Sequence, residues 1–224
     1  MRLPRTTYTW AIRHLLAEGD TDLFPRPLEL EALRYNWSYG VLNDFSQLDL
    51  SDYVWKGGRR FLVPKDILAF RQGTQLHPID SVVFAALIRR LGSRLEQRRI
   101  PVRDQRVFSY RFAPTDDGRF YGDDTRWHEF WEVSRRKAQE ANCSHVLVAD
   151  ITDFYNQIYH HVIENQLRGA GLTEAQERIF KRFLTAYSET VSRGIPIGPH
   201  SVHLLVELSL HPIDEDLLGK GYDF

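Results

Sequence analysis

His145–Val162 reads HVLVADITDFYNQIYHHV, and its two halves have different periods. Val146 to Ala149 is a short apolar, β-branched run of the kind that forms a buried strand. It ends on a carboxylate, Asp150. Beyond it Tyr155, Ile158, Tyr159 and Val162 recur at helical spacings, which predicts a helix over Tyr155–Leu167 closed by Gly169-Ala170-Gly171. An acid where a buried strand meets a helix is held rigidly enough to ligate a metal. The same position also suits a helix cap.

A second stretch, Ser192–Leu210, reads SRGIPIGPHSVHLLVELSL, a Gly/Pro-punctuated loop running into an apolar helix. Together the two stretches resemble motifs A and B of reverse transcriptases. Asp150 is followed by Ile151, Thr152, Asp153, Phe154 and Tyr155, as in the first motif. Gly194, Pro196, Gly198 and Ser201 match the second, about forty residues on. FLVPK at 61–65, FRQGTQLHPID at 70–80 and VFSYRF at 107–112 resemble the fingers of bacterial members, most nearly the branch tied to phage defence. Ile197 stands where intron-type enzymes usually carry Gln, which agrees with that branch.

The resemblance implies an α+β protein with right-hand polymerase architecture: a helical extension over 1–56, fingers over 57–142 and a partial palm over 143–224. It implies an RNA-directed DNA polymerase that adds deoxynucleotides to a primer on an RNA template, with two Mg²⁺ ions for which Mn²⁺ can substitute. Asp150 and the backbone carbonyl of Ile151 would hold metal. Lys65 and Arg71 would meet the triphosphate, because arginine grips phosphate oxygens in pairs. Asp153, Phe154, Tyr155, Gly194, Pro196 and Gly198 would surround the nucleotide, with Tyr155 beneath the sugar as the gate against a 2′ hydroxyl. The sequence stops at GYDF, before the Tyr-x-Asp-Asp hairpin and thumb of that family, so the chain reads as truncated there. The alternative is a catalytically inert nucleic-acid-binding or assembly protein on the same fold.

Composition permits this and excludes other classes. Apolar residues make up 42% and charged residues 26% of 224 residues, ordinary for a globular protein. The single cysteine, Cys143, excludes an internal disulfide or a multi-cysteine zinc site and fits a cytoplasmic setting. No apolar run is long enough for a membrane span. Net charge is −1, so affinity for nucleic acid requires local concentration of cations. Eight arginines between Arg89 and Arg111 face only Glu96 and Asp104. From this run Arg89, Arg90, Arg94, Arg98 and Arg99 are the candidate phosphate contacts.

The remaining segments supply scaffold. Helices are expected over Tyr8–Glu18, Glu29–Tyr35 and Leu42–Tyr53. After a Gly57-Gly58 turn come two short strands, Arg60–Pro64 and Lys65–Gln75. Asp80 is expected to cap a helix with Val83, Leu87, Leu91 and Leu95 inward, followed by a strand at Val107–Phe112. Thr125–Asn142 should present Trp127, Phe130, Trp131 and Ala138 inward. Tyr121-Gly122-Asp123-Asp124 spells a metal-binding polymerase turn, but its polar flanks cannot hold two acids rigidly. His160, His161 and Glu164 read as solvent-facing helix residues. Thr173 and Gln176 form a capping box opening Glu174–Tyr187, and a helix from about His200 to Leu218 buries Leu204, Leu205, Leu208 and Leu217.

Overall fold

The computed structural model describes residues 1–21, 23–122, 126–140, 144–188 and 192–222. Its centre is α4 (Pro78–Glu96), buried on nearly every face along Val82 to Ile88. A helix apolar all round must be wrapped by others, and α1 (Arg5–Ala17), α8 (Glu174–Tyr187) and α9 (His203–Gly219) do this. Phe84 of α4 stacks on Phe183 of α8 with centroids 3.7 Å apart, and Trp55 meets both rings edge-on. One apolar cluster runs from Leu3 through Leu208. The smaller helices are α2 (Leu28–Asn36), α3 (Val41–Gln47), α5 (Arg126–Glu140), α6 (Phe154–Gln157) and α7 (His160–Gly169). Among the described residues no helix is long and apolar enough to cross a membrane.

The sheet is a single antiparallel hairpin among the described residues, β1 (Gly58–Pro64) with β2 (Phe70–Leu76). The connecting turn is closed by Lys65 N–H donating to Ala69 O at 2.8 Å and by Asp66 Oδ1 accepting from Leu68 and Ala69. Because side chains alternate faces, the register separates two sets. Arg60 and Leu62 share a face with Thr74 and Gln72, whereas Arg59, Phe61 and Val63 share the other with Gln75, Gly73 and Arg71.

Asp80 does not cap α4. His77 is the cap, its ring Nδ1 accepting from Ile79 N–H. Asp80, wholly buried, accepts instead from Tyr53 Oη at 2.5 Å and Lys56 N–H at 2.7 Å. Tyr187 Oη lies 2.8 Å from the same carboxylate and 2.8 Å from Gly57 O. Burying a carboxylate is tolerable only with donors on its oxygens, and these donors come from the chain before the hairpin and from α8.

Four further expectations fail. Val146–Ala149 forms no strand: Val146, Leu147 and Val148 are 69%, 91% and 74% exposed. An extended run needs a neighbour for its N–H and C=O groups, and none pairs with it among the described residues. Val107–Phe112 is likewise irregular apart from one bridge, Phe112 to Tyr121. On α5 Val133 is the buried residue, while Trp127 and Trp131 face solvent. The helix expected over Tyr155–Leu167 is also broken at Ile158–Tyr159, into α6 and α7. The capping box at Thr173 and Gln176 forms as read, and Cys143 lies outside the described residues.

Asp80→Ala is expected to lower unfolding free energy by about 3 kcal/mol or more, since bonds to a charged acceptor contribute about 1.5–3 kcal/mol each. Tyr187→Phe, losing one donor, should cost about 1 kcal/mol. Urea unfolding tests both; an unchanged midpoint for Asp80→Ala would remove this carboxylate from its structural role.

Candidate functional site

The loop after α8 and the hairpin enclose a polar cleft of about 160 Å³. The hairpin contributes Arg60, Gln72 and Thr74, α8 and its end contribute Tyr187 and Ser188, and Arg193–Ile197 with Asn156 form the other wall. Among the described residues two arginines line it and no acid does, so an anion complements this lining. Arg60 Nη2 donates to Tyr187 O at 3.1 Å, which fixes its guanidinium at the mouth. Arg193 lies over the Tyr159 ring at 6.0 Å and has no acidic partner among the described residues. Burial, with the Asp80 carboxylate beside it, raises the Tyr187 pKa and keeps the phenol protonated.

The loop is held from both sides. Ile195 N–H donates to Tyr155 O at 3.1 Å, Gly194 N–H to Ile158 O at 2.9 Å, and Thr74 N–H to Ile197 O at 2.7 Å. The segment after Asp150, the Gly/Pro loop and the hairpin are thereby joined by main-chain bonds. Gly194 has φ +91, a left-handed backbone that a side chain would strain. His160, expected in solvent, is buried, and its Nε2 lies 2.8 Å from Gly194 O. Nothing in the sequence distinguishes it from His161, because the bond depends on a loop folded back across the helix. Glu164 pairs with Lys181 at 3.4 Å.

The structure distributes the expected site residues unevenly. Gly194 and Pro196 line the cleft. Gly198 does not: at φ +121, an added Cβ would come within 2.6 Å of Thr21 Oγ1, so its lack of a side chain serves packing. Lys65 sits exposed at the hairpin tip, and Arg71 falls on the strand face opposite Arg60. Arg60 is therefore the hairpin cation that meets the cleft. Tyr155 packs against Phe154 and His203, its hydroxyl 2.9 Å from His203 Nδ1, and does not line the cleft. Asp153, in the left-handed region at φ 55, holds Asn156 at 2.6 Å and Gln157 at 3.2 Å and so orders α6.

Asp150 and Ile151 lie on the exposed segment after the failed strand. Two-metal transfer wants several carboxylate oxygens around ions about 4 Å apart. Among the described residues no three His, Cys, Asp or Glu side chains gather as a metal site. One carboxylate and one carbonyl do not fit the pair of Mg²⁺ ions that the resemblance implies. Asp123 and Asp124 lie outside the described residues, while the Tyr121 hydroxyl before them donates to His200 O at 2.8 Å.

The basic run is the largest correction. Arg99 is buried between Glu96 and Glu207, 3.0 Å from each, and Arg111 joins Glu96 at 2.9 Å. Burial pushes the Glu207 carboxyl up, against the opposing pull of Arg99 and Ser109. Arg94 reaches Gly171 O, and Arg98 meets Gln166 and Glu215. Arg89 lies over the Trp10 ring at 5.2 Å. These arginines tie helices and loops together, leaving Arg90 exposed on α4. No family model matches the chain, and no curated protein is similar enough to count as a relative.

Asp20 supports the loop's far end: its main-chain O accepts from His200 N–H at 2.9 Å, while its carboxyl is buried. Burial raises that carboxyl to about 7, with Ser81 pulling the other way. The folded protein therefore keeps a proton that the unfolded chain releases near 4, and stability from this group falls as pH rises from about 4 through 7. The loss is on the order of 4 kcal/mol. Asp20→Asn should match the wild type near pH 4 and be the more stable by pH 8. Thermal melting across that range tests this; a pH-independent difference would contradict it.

Proposed function

We propose that this chain is the fingers and part of the palm of an RNA-directed DNA polymerase, its arginine-lined cleft receiving phosphate of nucleotide or template. The observation that carries the reading is the main-chain docking of Tyr155 and Ile158 onto Ile195 and Gly194. These are the two segments whose sequences resemble consecutive polymerase motifs, and a chance pair of motifs has no reason to meet. The hairpin that resembles the fingers closes over the same loop through Thr74 and Ile197. A bacterial, defence-associated setting in the cytoplasm belongs to the same proposal, as do RNA template, DNA primer and deoxynucleoside triphosphates as partners.

A specific observation favours the second reading, a nucleic-acid binder without catalysis. Asp150 stands on an exposed segment, and no cluster of metal-binding side chains forms among the described residues. Metal dependence separates the readings. A polymerase extends a DNA primer on RNA with Mg²⁺ and stops when Asp150→Asn is introduced, while that variant keeps its hold on the duplex. A binder holds the duplex equally in Mg²⁺ or EDTA and never incorporates nucleotide.

Both readings place the anion between Arg60 and Arg193. Arg60→Ala and Arg193→Ala should each weaken primer–template binding about tenfold, one charge-assisted contact apiece. Affinity should fall steeply with salt in the wild type. Arg99→Ala should instead lower folding stability by about 3–5 kcal/mol, because Glu207 is left buried without its counter-charge. Fluorescence anisotropy and thermal melting, run on all three variants, tell the roles apart. Binding loss confined to Arg99→Ala would move the nucleic-acid face back to the arginine run.

A further inference from the structure

At the base of the hairpin a second and larger cleft opens, with a volume of about 610 Å³, between α2, the hairpin and the start of α4. A volume in the range of about 300–1,000 Å³ is that of small-molecule sites. Its walls are aliphatic: Leu33, Val41, Leu76 and Ile79, with Pro27 and Pro78 at the ends. The His77 imidazole is the one ring among its described lining residues, and no Phe, Tyr or Trp lies there to form a stacking platform for a base. Two cations stand at its edge, Lys56 and Arg59, and neither has an acidic partner among the described residues. Both are on fixed backbone: Lys56 N–H is bonded to buried Asp80, and Arg59 pairs with Gln75 in the ladder. Glu29 is the one acid in the lining, against these two cations.

We propose that this cleft binds an aliphatic anion, an acyl chain whose carboxylate or phosphate head lies between Lys56 and Arg59 while the chain lies along Leu33, Val41 and Ile79. The shared chemistry is an alkyl body with one anionic end, whether a free fatty acid or the acyl chain of an alkyl phosphate. Unpaired cations beside apolar wall suit such a guest on both counts, since the head satisfies the charges and the body removes aliphatic surface from water. The site is separate from the polar cleft, and its occupancy does not depend on polymerase activity.

Calorimetric titration of the full chain with hexanoate, octanoate and decanoate, each below its micelle concentration, tests this. Affinity should rise about fourfold per methylene, the transfer increment of an alkyl chain. Decanol should bind about tenfold or more weakly than decanoate, and Lys56→Ala/Arg59→Ala should bring decanoate down to the level of decanol. Ala32→Trp, an exposed helix position lining the cleft, should block both ligands while leaving the melting temperature unchanged. Alkyl phosphates run alongside identify the preferred head. The proposal is overturned if decanoate binds no better than decanol, if Ala32→Trp leaves binding intact, or if adenosine monophosphate displaces decanoate at equal concentration.

Discussion

A carboxylate with no access to water, Asp80, sets the geometry around α4. Its oxygens accept from Tyr53, from Lys56 N–H and from Tyr187, so the entry to the hairpin and the end of α8 are pinned to one point. Hydrogen bonds to a buried charge are strong and directional, and each donor left unpaired would be costly. The aromatic stack of Trp55, Phe84 and Phe183 packs beside this point. Tyr187 then lines the polar cleft and anchors Arg60 through its carbonyl. The interaction that fixes the core thus also fixes a wall of the candidate site.

A second ionic cluster, Glu96, Arg99, Arg111 and Glu207, holds the far side of α4 against α9. Its charges are spent within the protein. Arg60 and Arg193 instead line the polar cleft, with Lys65 and Arg71 outside it towards the hairpin tip. Both clusters use charge for structure where the sequence suggests a surface.

Features set by neighbouring residues were legible in the sequence, and features set by distant ones were not. The capping box of α8 and the inward residues of α4 follow from spacing of a few residues. The strand at Val146–Ala149 does not, because β-branched composition gives a propensity but a ladder requires a second segment. Arg99 looked like a surface cation because its partner Glu207 is 108 residues away. His160 looked like solvent-facing polarity because the carbonyl it meets belongs to Gly194. The union of the Tyr155 segment with the Gly194 loop could be expected only from their likeness to a known pair of motifs.

Among the described residues the hairpin is a sheet with no third strand. The ribbon borders two cavities, and a single step along β1, from Arg59 to Arg60, passes from the lining of one to that of the other. The division is local to that step, since Gly58 and Leu76 line the aliphatic cavity from the same face as Arg60 and Thr74. A one-residue insertion just before Arg59 would turn both arginines to the opposite faces, shifting the cation that each cavity borrows from β1 while leaving the backbone ladder nearly unchanged.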